Sequence, residues 1–453
     1  MYNTIAIEEQ GKPTVALCNQ GFITDAKSAA SGKGMPKIRL ISEKVPCECS
    51  VMQEIDTEVT KVMDEVVAAL TKSLTAEEKS PKKEVERSQR IVFKGNLEEV
   101  NRFFYRRGWT DGLPIIPPTE EAVAEMLTGT DLPRDHIVTK MIPRMGKVTV
   151  EKIAINAVMA GALPTYMPVL IAGVKALMDP KAAFGTWEVS TGSWAPCWII
   201  NGPIRNDLRV NCGSGMLSPG DIANAAIGRA IGLIVKNLGG ARKAVEDMGV
   251  LGNPGKYSLV LGEYEEESPW ESLQVERGFQ KEDNTLTVFF PNTYTQTFTY
   301  GTDAKSILST IIYNIEPGRQ VEGLACFIIT PQHAKILANE GWGKKEVKAF
   351  ISENATAPFY RHSSYWGVVV GSNPSARAPS KLPFQPQDPI RLIQNTDCIT
   401  IVVAGGPGAF LGFLRGSGGG FGNSFVTHKI ELPANWNNLV EKYKGMVPTH
   451  LLY

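Results

Sequence analysis

The alternation of apolar and polar positions divides the chain into stretches of different period. Near the start, PTVALC (residues 13–18) is a short apolar run and KIRLISE (37–43) alternates with period two, so both read as strands. Between them, GFITDAKSAASGKG (21–34) reads as a small-residue helix stopped at Gly32 and Gly34. Strand, helix and strand in this order form a parallel unit, which needs a right-handed crossover and cover on both sides. Two strands and one helix cannot bury a sheet, so something else is expected to complete it. Next, DTEVTKVMDEVVAALTKSL (56–74) places Val59, Val62, Met63, Val66, Val67 and Leu70 at helical spacing, an amphipathic helix.

The pattern then breaks. TAEEKSPKKEVERSQR (75–90) carries nine charges in sixteen residues, a proline and no aromatic, and predicts a linker over 75–92. Beyond it, PPTEEAVAEML opens a helix with Thr119 as cap, HIVTKMIP and KVTV read as strands, and IANAAIGRAIGLIVKNLGG reads as a helix buried on several faces. Residues 153–178 are the most apolar, but Pro164 and Pro168 split them, which favours two short buried helices over a membrane span. Further on, LTVFFPNTYTQTFTY (286–300) reads as extended strand, residues 330–355 as two helices around Gly341, and 397–422 as a buried strand running into a glycine-rich loop. The expected fold is α/β: a partial N-terminal parallel unit (1–74), the linker (75–92), and a large mixed α/β companion region in two parts, 93–240 and 241–453.

Composition narrows the function classes. The 47 basic and 47 acidic side chains balance, so no electrostatic reason exists to expect nucleic acid or an anionic membrane as partner. Seven scattered cysteines predict reduced thiols, and the missing basic and apolar leader pattern predicts a cytoplasmic protein. There is no CxxC, HExxH, GxGxxG or GxxxxGK[ST], so neither a metal nor a nucleotide cofactor is indicated.

The densest collection of chemistry is TWEVSTGSWAPCWIINGPIRNDLRVNCGSGMLSPGD (186–221). Here Asn211, Gly213 and Ser214 precede a helix, so their backbone N–H groups are candidates to hold an anion, with Arg205 as a bidentate donor. A tight turn with an N-cap is the plain alternative. Cys212, before a helix and near arginines, is the thiol best placed for a lowered pKa. Glu188 and Glu266 are candidate proton carriers, the latter in LGEYEEESPWESL beside Trp270, where an indole can raise a carboxyl pKa; a solvated acidic loop is the alternative. Trp109, Asp111 and Trp270 are candidate substrate contacts, although an Asp-Gly turn also explains Asp111. Cys47 and Cys49, after the second strand, are candidates for redox or ligand contact, because ligands gather beyond the carboxyl ends of strands.

The segment GKPTVALCNQGFITDAKSAASGKGMPKIRLISEKVP (11–46) resembles the carboxyl-terminal half of the UGSC-motif (seleno)protein domain. That domain is itself similar to the selenoprotein B subunits of glycine, sarcosine and betaine reductases. In this chain residues 45–48 read VPCE where the family continues Pro-His-Pro-Leu. GWTDGLPIIPPTEEAV, APCWIINGPIR, IANAAIGRAIGLIVKNLGG, GNPGKYSLVLGEYEEESPWESL and TPQHAKILANEGWGKKEV resemble the large domain fused or adjacent to such units. The resemblance implies that a Sec- or Cys-Gly-Ser-Cys nucleophile sits on a partner subunit, which completes the sheet. It further implies cleavage of a carbon–heteroatom bond in a small, anionic substrate held by Arg205 and residues 211–221, with Glu188 or Glu266 moving protons. The alternatives are a self-contained lyase or hydrolase using Cys212, and a non-catalytic substrate-binding or scaffold subunit.

Overall fold

The computed structural model describes residues 2–45, 52–79, 90–299, 302–316, 323–361, 385–393, 395–418 and 424–446. The N-terminal unit follows expectation. Strands β1 (Ala16–Asn19) and β2 (Leu40–Glu43) pair in parallel, Ala16 opposite Leu40, and the helix Ile23–Gly32 connects them. Among the described residues these two strands pair only with each other. The amphipathic helix runs Met52–Thr71, next to β2, and none of its residues is buried.

After a hairpin of β3 (Ile137–Met141) and β4 (Gly146–Thr149), the chain builds two four-stranded sheets. The first is ordered β14-β7-β5-β6, where β5 is Cys197–Asn201, β6 Val260–Gly262, β7 Thr285–Phe289 and β14 Val426–Lys429. The second is ordered β12-β9-β13-β8, where β8 is Pro291–Phe298, β9 Gly323–Ile329, β12 Ile399–Val403 and β13 Phe410–Gly418. A small pair, β10 (Thr356–Pro358) with β11 (Pro389–Arg391), lies beside the second.

The two sheets face each other because their central strands are apolar on both sides. Cys197 and Ile199 of β5 share one core with Leu324, Cys326 and Ile328 of β9 and Val402 of β12. Their alternate neighbours point the other way. Trp198 and Ile200 pack on the helices Val150–Ala160, Met167–Met178 and Ile222–Ile234. Ala325, Phe327, Ile329, Ile401 and Val403 pack on Ala304–Tyr313, Pro331–Asn339 and Lys344–Asn354. The result is four layers, helix, sheet, sheet, helix, with each fully buried large side chain contributing about 1.5–3 kcal/mol. Close approach on the first side needs small residues: a Cβ at Gly228 would lie 2.3 Å from Ser258 Oγ.

Several expectations change. LTVFFPNTYTQTFTY is two strands in different sheets, β7 buried throughout and β8 an edge strand with mostly exposed residues. The glycine-containing GAFLGFLRG is largely strand β13 rather than loop, paired on both edges, and Gly412 lets it lie against Ile328. The expected linker contains a short helix, Ala76–Lys79, and residues 80–89 lie outside the described residues. The apolar segment is two helices as expected, and no described helix is long and apolar enough to cross a membrane.

Candidate functional site

The carboxyl ends of parallel strands from both sheets meet at one place. Backbone bonds tie them together: Gly262 N donates to Asn211 O, Glu263 N to Ile200 O, Tyr264 N to Val403 O, Ala404 N to Ile329 O and Gly405 N to Cys212 O. Strand ends of this kind expose backbone groups that no ladder uses, which is why ligands collect there. A cavity of about 260 Å³ opens beside this junction, between the loop 213–218, the loop 404–408, Thr330 and Tyr294.

The loop carrying Cys212 is held by amides. Asn224, buried on the helix Ile222–Ile234, donates to Asn211 O, Met216 O and Val260 O and accepts from Asn211 N. Asn211 donates to Ser214 O and Asp221 Oδ2 and accepts from Gly213 N. Gly213 and Ser214 line the cavity. The converging N–H groups expected there are differently used, since Gly213, Met216 and Ser218 donate within the loop itself. Ser214 Oγ packs so tightly on Gly406 that a Cβ there would sit 1.7 Å away.

Arg205 was expected to face an anionic ligand. It is buried instead, donating to both oxygens of Glu266 at 3.0 and 3.2 Å. Its Nε lies 2.9 Å from Glu265 Oε1, close enough for an ion pair but not aligned as a hydrogen bond. Glu265 accepts from Gly202 N and Asn201, and Glu263, with no exposed surface, accepts from Asn201, Leu273 N and Lys344. Burial pushes the Glu266 carboxyl up, but hydrogen bonds from Arg205 and Asn206 outweigh it and hold the group at about 2. Glu266 is thus ionised at neutral pH and a poor proton donor, contrary to the expectation of an indole-raised acid. The indole of Trp270 instead donates to Trp342 O at the second core.

The thiol of Cys212 also departs from expectation. Burial pushes it up and the Arg205 charge offsets only part of that, so it stays above the ordinary thiol value. No helix N-terminus activates it: the helix begins ten residues later at Ile222, with Asp221 at its N-cap position making no capping bond.

The remaining candidates lie elsewhere. Asp111 receives a bidentate pair from Arg229 at 2.7 and 3.0 Å, and Trp109 packs edge-on against Phe103 and Phe104, so both join the helix Leu97–Arg106 to the first core. Glu188 lies under the 246–256 loop, with Asp247, Lys256, Asp25 and Glu246 acting on it. Both of its oxygens are buried without a hydrogen-bond partner. Burial first, then Asp247, raises it to about 8; it stands within electrostatic reach of Asp25, Glu246 and Asp247 and is not among the residues lining the cavity. Cys47 and Cys49 lie outside the described residues. Among the described residues, no group of three or more His, Cys, Asp or Glu could hold a metal.

Thr330, Gln332 and His333 are not among the candidates drawn from the sequence. The readable signal was position: TPQH follows the buried strand GLACFII, so Thr330 stands at a strand's carboxyl end.

Residues 1–72 match the model of the UGSC family. No curated protein and no solved structure matches the chain.

Proposed function

We propose that this chain is a subunit of a thiol- or selenol-dependent enzyme that cleaves a carbon–heteroatom bond in a small substrate, with the principal nucleophile on a second subunit. The observation that carries the reading is the incomplete parallel unit in the family-matched segment: β1 and β2 pair only with each other among the described residues, and the helix Met52–Thr71 beside them buries none of its twenty residues. An open parallel pair beside an incompletely covered amphipathic helix is what a complementing strand and helix would close. The state of Cys212 supports the same division of labour. A thiol held above its ordinary pKa is a weak nucleophile at neutral pH, so the cavity beside it is better suited to holding substrate than to attacking it.

Native mass measurement of the complex from its source cells, under reducing and anaerobic conditions, tests this. A second, smaller chain bearing a selenocysteine or reactive cysteine, and protecting residues 16–43 and 52–71 from hydrogen exchange, is the expected result. A homo-oligomer of this chain alone, with full activity, would overturn it.

A further inference from the structure

Thr330 closes β9 and caps the helix Pro331–Asn339, yet its hydroxyl makes no capping bond. It turns instead to His333 in the first turn of that helix, with Oγ1 3.2 Å from Nδ1. The other ring nitrogen, Nε2, lies 3.0 Å from Thr299 Oγ1. All three residues are buried to a tenth or less exposed, and Thr330 is also part of the cavity wall.

One proton on each hydroxyl decides the tautomer. Thr299 Oγ1 gives its hydrogen to Ala409 O at 2.8 Å, so toward His333 it can only accept. Nε2 must therefore carry the ring hydrogen, and Nδ1 presents a lone pair. The Thr330 hydroxyl then donates to Nδ1, its other acceptor, Gly408 O, being more distant at 3.4 Å. Burial lowers the His333 pKa with no charged neighbour contributing, which keeps the ring neutral and able to accept.

The geometry points to Thr330, His333 and Thr299 as a proton relay that opens into the cavity through the Thr330 oxygen. A ligand's acidic proton moves onto Thr330 Oγ1 as the Thr330 hydrogen moves onto His333 Nδ1. The ligand becomes one charge more negative, His333 becomes an imidazolium, and no electron changes hands. The reverse transfer protonates a leaving group. The inference rests on the cavity being the substrate site of the proposed function, and it gives that site a base that neither Cys212 nor Glu266 supplies. The ligand class is a small molecule with an ionisable N–H, O–H or S–H at its reacting end.

Two measurements on the whole chain test it without substrate or partner. Long-range proton–nitrogen NMR correlation resolves the imidazoles of the five histidines, with His333→Gln assigning the signal. A neutral Nε2–H ring at pH 7 that changes tautomer in Thr299→Val is expected; an Nδ1–H ring or an imidazolium overturns the relay. Phenylmethanesulfonyl fluoride then probes the oxygen: the Thr330 O–S bond forms, fluoride leaves, and the proton goes to His333. Labelling at Thr330 is expected to slow at least tenfold in His333→Gln and to persist in Thr330→Ser. No label in a folded chain, or labelling indifferent to His333, overturns it. A missing second subunit would sink the two-chain reading while both results here stand.

Discussion

Ser28 Oγ, on the helix of the N-terminal unit, donates a 2.6 Å hydrogen bond to Glu246 Oε1, a carboxylate of the large body with no exposed surface. This bond joins residues 218 positions apart and marks where the family-matched segment is seated. Arg242 donates to both oxygens of the same carboxylate, and Gly32 approaches Arg144 so closely that a Cβ would lie 2.8 Å from its Cα.

Replacing Ser28 with alanine removes a bond to a charged group and leaves Glu246 with one partner fewer. A loss of about 2 kcal/mol in docking is expected. Hydrogen exchange over residues 16–43 should accelerate while β5 and β9 stay protected, which separates undocking from global unfolding.

The same interface should be sensitive to alkali. Burial, then Glu246, raises Asp25 to about 6, and burial, then Asp247, raises Glu188 to about 8. Both groups hold protons in the folded protein to higher pH than in the unfolded chain. Their contribution is therefore fully present below the ordinary carboxylate range and is lost as pH rises through about 6 for Asp25 and about 8 for Glu188. Each pH unit over which one extra proton is held is worth about 1.4 kcal/mol. Urea unfolding at pH 5 and pH 8.5 should show this decline, and Glu188→Gln should flatten it.

Beside Cys212, Arg205→Gln should raise the Glu266 pKa from about 2, since the guanidinium supplies its strongest hydrogen bonds. Leaving Glu265 without its cation costs on the order of 3 kcal/mol. Arg205 also pulls the Cys212 thiol down against burial, so iodoacetamide should alkylate Cys212 slowly at pH 7.5 and more slowly still in the variant. Faster alkylation on removing Arg205 would contradict the arrangement described.

Gly406→Ala puts a methyl group into Ser214, 1.7 Å from its Oγ and 2.8 Å from its Cβ. Destabilisation and loss of the cavity are expected, and the double variant with Ser214→Gly should recover part of both. Thermal melts of the two single variants and the pair measure the coupling.

Much of the fold was legible because it depends on local period. The helix expected over 56–74 is Met52–Thr71, and the strand expected over 13–18 is Ala16–Asn19, starting later because Thr14 N donates to Glu8 rather than into a ladder. The four-layer arrangement was not legible. A strand such as CWIIN, buried on both faces, carries no alternation to say which residues meet a sheet and which meet helices. At the site, the residue types were readable and their partners were not. Arg205 finds Glu266 across 61 positions and Thr299 finds His333 across 34, distances at which sequence spacing has no force. Glu266 looked like an acid beside an indole only because Trp270 is near in sequence, whereas the folded chain turns that indole toward Trp342.

The passage from β7 to β8 bears on how the cavity is framed. Residues 285–298 run unbroken from one sheet into the other, and the chain returns to the first sheet at β14 after β13. The two halves are thus sewn together twice and share the buried core of Ile199, Phe289, Cys326 and Ile328, so parting them would expose that core to water. Any widening of the cavity falls to the short loops at its rim, 213–218 and 404–408, rather than to the layers behind them.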